Sequence, residues 1–294
     1  MHKTELTGVD GSNLLAYLAA LGTLRVLTLA DGAPEVGMEW SDRGVWRPVL
    51  HHASAGSPDE LLDLLELLVC GEGSIDAAWK IGNDLTMSCD EYGKVLRDNV
   101  ENGSGGRRTL DFLAAFGGDV YGAGPKRETM SDTGFRTMSG AGHQHFLGFM
   151  RELASGTERE HLKRALFAEW DYADERPSLR WDPADYRPHA LRAVDPSGDP
   201  IRTMRGANRL AVEALPLFPT APVGRRIRTT AFRDGEAGAE VVWPIWTDRL
   251  ELGSVASLVA SSVGTPRPGV AQIFRAARFT EGKYRNFSPS RAML

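Results

Sequence analysis

The chain has 294 residues, 42% of them hydrophobic and 25% charged, with two cysteines and a net charge of −5. This is the composition of a soluble protein of one or two domains, and it excludes collagen-like, disordered and disulfide-stapled chains. No apolar run reaches the ~18 residues of a membrane span, and the opening Met1-His2-Lys3-Thr4-Glu5 lacks a signal-peptide layout, so the expectation is a cytoplasmic protein.

Charge is unevenly spread: −9 over residues 1–100, −3 over 101–200 and +7 over 201–294. An acidic front and a basic back fit either a polyanionic or charged protein partner, or two ends that neutralise each other.

In chain order, residues 4–9 read as a short strand ending in the turn Asp10-Gly11. Ser12 or Asn13 then caps a helix over 14–29, apolar nearly all round and therefore central to the core. Residues 36–50 read as a β-hairpin, with Trp40 and Trp46 flanking Ser41-Asp42-Arg43-Gly44. Ser57-Pro58-Asp59-Glu60 opens a helix to about residue 69. Helices follow over 90–100 and 109–116, separated by a flexible Asn102-Gly103-Ser104-Gly105-Gly106. Residues 117–142 form a long glycine-rich loop of the functional or disordered kind, and helices over 144–153 and 157–169 come next.

The second half turns to strands. Residues 178–181 and 187–194 read as extended, and 202–215 hold a helix stopped by Pro216 and Pro219. Residues 225–233 and 240–246 read as a hairpin, 253–262 as a last helix and 269–287 as a strand pair. Strands and helices mix without regular βα alternation, so the predicted class is α+β with antiparallel hairpins. The organisation is either a mainly helical acidic region over 1–172 and a strand-rich basic region over 173–294, or one intertwined domain.

Walker-type phosphate loops, a nucleophile elbow and H-E-x-x-H are absent. His143 and His145 would share a face in a strand but diverge by about 200° at a helix start. A metal site needs about three or four ligands, and spacing marks no third, so no metal or cofactor is expected. The two histidines are the candidate catalytic residues; the plainer reading has them capping the helix beside a tight glycine turn. Asp171, Asp174, Asp182 and Asp185 lie near arginines and read as ion pairs and turn openers.

The basic elements carry the stronger signal. Arg205 and Arg209 fall on one helical stripe with Arg202, and Arg226 and Arg228 share a strand face beside Arg225. Arg275, Arg278, Lys283 and Arg285 interleave with Phe274, Phe279, Tyr284 and Phe287. Cations neutralise phosphates and aromatic rings stack on unpaired bases, so Arg205, Arg209, Arg225, Arg226, Arg228, Arg275, Arg278, Lys283 and Arg285 are the candidate nucleic-acid contacts. The alternative is a core face of aromatics backed by a solvated face of arginines.

Five strings add a resemblance. They are Leu6 to Arg25, with its Gly8-Val9-Asp10-Gly11-Ser12-Asn13 turn; Met138-Ser139-Gly140-Ala141-Gly142-His143-Gln144-His145-Phe146-Leu147; Leu179-Arg180-Trp181-Asp182-Pro183; Arg205-Gly206-Ala207-Asn208-Arg209-Leu210-Ala211; and Gly282-Lys283-Tyr284-Arg285-Asn286-Phe287-Ser288-Pro289. In this order they resemble the CRISPR type I-G (formerly I-U) accessory family, which occurs alone or as an extension of the helicase-nuclease. The resemblance implies a component of type I CRISPR interference. Helicase motifs and the HD nuclease cluster are absent, so the expectation is a non-enzymatic adaptor that binds DNA or the effector complex and helps recruit the helicase-nuclease. Its acidic front half would face a protein partner, and no membrane is involved. The alternatives are a metal-dependent nuclease using His143 and His145 with a nearby carboxylate, or a purely protein-binding subunit.

Overall fold

The computed structural model describes residues 2–30, 35–53, 55–102, 106–118, 129–138, 144–185, 202–223, 226–236, 238–261, 267–281 and 284–293. The class is α+β, with a helical front half and a strand-rich back half. β1 (His2–Glu5) precedes α1 (Leu14–Leu29). The strand expected over 4–9 ends early: Gly8, Asp10 and Gly11 turn the chain, while Leu6 and Val9 stay buried within that turn. The Asn13 side chain accepts from the Ala16 amide at 3.2 Å, which starts α1. α1 is buried from Leu14 to Leu27, as its all-round apolar surface requires.

β2 (Gly37–Asp42) and β3 (Trp46–His52) form the expected hairpin, and α2 (Pro58–Val69) starts where the Ser57 side chain caps it. α3 (Cys89–Asn102), α4 (Gly106–Phe116), β4 (Gly117–Gly118) and β5 (Ser131–Asp132) follow. β4 pairs with β5, so the described part of the 117–142 loop begins as a small ribbon. α5 (Phe146–Gly156) and α6 (Arg159–Phe167) lead to β6 (Asp174–Glu175), β7 (Arg202–Thr203) and α7 (Arg205–Val212). β8 (Thr220–Val223) pairs with β9 (Arg226–Thr229), and β10 (Phe232–Gly235) with β11 (Gly238–Trp246). The single long strand expected over 225–233 is therefore two strands, broken by Ala231 at a φ of 69°. β12 (Leu250–Glu251), α8 (Leu252–Ser261), β13 (Val270–Glu281), β14 (Tyr284–Phe287) and β15 (Arg291–Ala292) complete the order. The segments 103–105, 119–128, 139–143 and 187–194 lie outside the described residues.

Among the described residues the two larger antiparallel sheets have the orders β1-β3-β2-β12 and β10-β11-β13-β14, with β15 on β13, beside the two-stranded ribbons β4-β5, β6-β7 and β8-β9. β12 comes from the back half yet closes the front sheet against β2. The Trp243 indole donates to the Gly11 carbonyl at 2.9 Å and the Trp246 indole to the Met38 carbonyl at 2.8 Å. Tyr17 stacks on Trp40 at 5.7 Å, and Trp40 meets Trp246 edge-on at 6.0 Å. α1 crosses α7 at Gly22, where a Cβ would collide with the Leu210 carbonyl. These contacts join regions 1–172 and 173–294 through a shared core. Among the described residues, no helix is long and apolar enough to cross a membrane.

Candidate nucleic-acid interface

The arginines expected to meet phosphate separate into three groups. Arg205 and Arg209 do sit on a helix, α7, but their stripe is packed rather than free. Arg209 is 0% exposed: its Nε donates to the Val69 carbonyl at 2.7 Å, its Nη2 to Glu213 at 3.0 Å, and its guanidinium lies 5.1 Å from the Trp79 ring. Arg25 and Arg108 reach the same Glu213 carboxylate at 3.2 and 2.6 Å. Burial pushes the Glu213 carboxyl up, but Arg209, Arg108 and Arg25 outweigh it and hold the group below the ordinary carboxylate range. Arg209 is therefore an interior ion-pair residue and not a phosphate ligand. The Arg205 amide donates to Asp174 at 2.8 Å, and its guanidinium to the Glu175 and Arg176 carbonyls. Backbone oxygens thus occupy the cation that the sequence offered to phosphate.

In the second group Arg226 and Arg228 point outward. Arg226 and Arg228 alternate along β9 onto one face, as the period of two requires, and both reach Asp234, at 3.6 and 2.8 Å. One carboxylate shared by two guanidiniums leaves net positive charge. Arg278 lies nearby on β13, donating to the Gly134 carbonyl at 2.8 Å with its guanidinium 5.9 Å from the Phe232 ring. Among the described residues it forms no ion pair. Burial and then the neighbouring Arg285 lower its pKa, with Asp132 opposing. Arg285, on β14, donates to the Arg136 carbonyl at 3.3 Å and lies 3.8 Å from Asp132. Arg228, Arg233 and Arg278 line one cavity of about 130 Å³ with Asp132 and Asp234.

Arg275 forms the third group. Alternation along β13 places it on the face opposite Phe274, Ala276 and Arg278. There it reaches Glu240 at 3.2 Å, as Arg233 does. The cations beyond residue 200 do not make one surface, and the expectation for Arg275 is corrected accordingly. Arg225 and Lys283 lie outside the described residues. Phe274 and Phe287 are corrected too: they are buried, Phe274 against Trp243 at 5.9 Å and Phe287 against Phe232 at 6.3 Å, so neither offers a face to a base.

His143 lies outside the described residues, and His145 stands at the N-cap position of α5 without a side-chain cap bond. It lines a cavity of about 660 Å³ with Asp84, Glu91 and Asp98. Among the described residues, no group of three histidine, cysteine or acidic side chains is placed to hold a metal ion. Asp171 and Asp174 pair with Arg164 at 2.6 and 2.7 Å, as expected for structural carboxylates.

Residues 178–185 form a crossing where several distant elements meet. The Asn13 side chain donates to Asp182 at 3.2 Å, the Asn208 side chain accepts from the Leu179 amide at 2.9 Å, and Arg180 donates to Asn286 at 3.2 Å. Phe146 meets Trp181 at 6.4 Å, and the Trp181 indole donates to the Phe135 carbonyl at 2.9 Å. Four of the five strings quoted above thus touch the fifth. Asp182 also accepts from the Tyr172 hydroxyl at 3.2 Å, and burial pushes its carboxyl up despite the hydrogen bonds from Ala184, Asn13 and Tyr172. Tyr172 and Arg180 both hold a left-handed backbone, at φ of 49° and 56°. Side chains at such angles are strained by ~1–3 kcal/mol and cluster at functional sites. The signal in the sequence was an asparagine in each of three strings, Asn13, Asn208 and Asn286. Compared with protein-family models and with curated proteins, the chain matches none.

Proposed function

We propose that this protein is a non-enzymatic accessory subunit of a type I CRISPR interference system, acting in the cytoplasm. It binds DNA through the face formed by Arg226, Arg228, Arg278 and Arg285 and docks the effector complex or its helicase-nuclease. The CRISPR assignment rests on the five strings and their order. The DNA-binding part rests on one observation above all: Arg278 has no carboxylate partner among the described residues and shares a cavity with Arg228. A guanidinium with unspent donors meets a phosphate oxygen without first breaking an ion pair.

The test is fluorescence anisotropy with labelled DNA over a range of salt. Replacing Arg226, Arg228, Arg278 and Arg285 together by alanine is expected to weaken binding and to flatten the log–log salt slope by roughly 0.9 per lost duplex phosphate contact. Arg275→Ala, on the other sheet face, is expected to change neither. An unchanged slope in the quadruple variant removes the DNA-binding reading and leaves a subunit that binds protein alone.

A further inference from the structure

Beside the 178–185 crossing is a cavity of about 410 Å³ whose lining includes Asp10, Asn13, Arg47, Glu169, Trp170 and Tyr172. Its aromatic wall is held in place from behind. The Trp170 indole N–H is spent on the Ala165 carbonyl at 2.9 Å, and the Tyr172 hydroxyl on Asp182. The two rings stand 6.1 Å apart at 81°. With their polar ends engaged, they offer the cavity carbon surface.

The remaining polar groups are of two kinds. Arg47 donates to the Val9 carbonyl at 2.8 Å and forms no ion pair among the described residues, so the rest of its planar donor fork is unspent. Asp10 accepts one hydrogen bond, from the Ser12 amide at 2.9 Å, and Glu169 is exposed; neither carboxylate is in an ion pair among the described residues. A donor fork and two acceptor carboxylates therefore flank an aromatic wall. Two carboxylates disfavour a phosphate in the cavity, and Arg47 disfavours an ammonium or guanidinium. A flat ligand with apolar faces and both donors and acceptors on its rim satisfies all of them.

We propose that this cavity takes an unpaired nucleobase of single-stranded DNA, packed on Trp170 and Tyr172 with its polar edge between Arg47 and the Asp10 and Glu169 carboxylates. The sugar and phosphates remain outside. Because the carboxylates only accept, bases with an exocyclic amino group are preferred to thymine. The inference rests on the DNA-binding reading, and it adds a strand preference and a base preference to it.

The test compares labelled oligo(dC), oligo(dT) and a duplex of matched length on the full chain. Trp170→Ala is expected to weaken oligo(dC) binding by roughly 5- to 150-fold, the range for losing one stacked base. The salt slope and the duplex affinity stay unchanged, since no phosphate contact is lost. Trp170→Phe restores most of the loss, which separates a stacking role from a damaged fold. Glu169→Gln, at an exposed position, is expected to erase the preference for oligo(dC) over oligo(dT). Unchanged oligo(dC) binding in Trp170→Ala overturns the proposal, and if the quadruple arginine variant still loses binding, the DNA-binding reading stands without it. Equal losses on single strand and duplex overturn it as well. So does binding of an arginine-rich peptide that Glu169→Gln abolishes, which would assign the cavity to a basic protein partner.

Discussion

Arg25 and Arg209 sit inside the core, Arg226 and Arg228 on its surface, and each pair shares a single carboxylate. Inside, Glu213 is fully enclosed, and Arg209 is completed by the Val69 carbonyl and the Trp79 ring. Outside, Asp234 meets its two arginines at a solvated surface, the Arg226 and Arg228 side chains being 74% and 43% exposed. A buried guanidinium needs every partner, because an uncompensated interior charge costs several kcal/mol. An exposed one needs none, and its ion pair contributes at most about 1 kcal/mol. The same residue type thus serves the fold in one place and is available to a ligand in the other.

The contrast breaks first at Glu213. Glu213→Gln keeps the volume but strands the guanidiniums of Arg25, Arg108 and Arg209, and a loss of about 3–5 kcal/mol is expected in urea unfolding. A loss under about 1 kcal/mol would place the interior set with the surface set. The pH dependence sharpens the point. The Glu213 carboxyl is held low in the folded protein, so its contribution is complete above the unfolded carboxylate pKa of about 4.3 and is lost as pH falls through its own lower value. Unfolding curves across that acid range should show the limb in the wild type and lack it in Glu213→Gln.

At the surface the expected effects are smaller and of another kind. Asp234→Asn should leave stability within about 0.5 kcal/mol, because exposed pairs contribute little. The same change frees Arg226 and Arg228 and should tighten DNA binding at low salt, read by anisotropy. Weaker binding would mean that Asp234 orders these arginines for their ligand instead of competing for them.

Periodicity and caps carried most of the helices. The all-apolar run of α1, the Ser57-Pro58 opening of α2 and the paired tryptophans of the β2–β3 hairpin each state a local preference that tertiary packing respects. The candidate site was less legible, for a physical reason. Helical spacing says that Arg205 and Arg209 share a stripe but not whether that stripe faces water. The Val69 carbonyl and Trp79, brought in by other elements, turn Arg209 inward together with Glu213 at the end of its own helix. Strand alternation separates Arg275 from Arg278 as soon as β13 is known to be one strand. The left-handed Tyr172 and Arg180 had no signature at all, since neither is a glycine or asparagine, the residues that usually mark such angles.

β12 completes the front sheet, and the Gly22 crossing seats α1 against α7. A helix that is greasy on every side therefore leaves the ribosome well before the segments that cover it. Until the last third of the polypeptide has been synthesised, the side of α1 that packs on α7 stays uncovered. Splitting the gene between codons 172 and 173 should consequently yield two fragments that precipitate when made apart and regain solubility only when produced together.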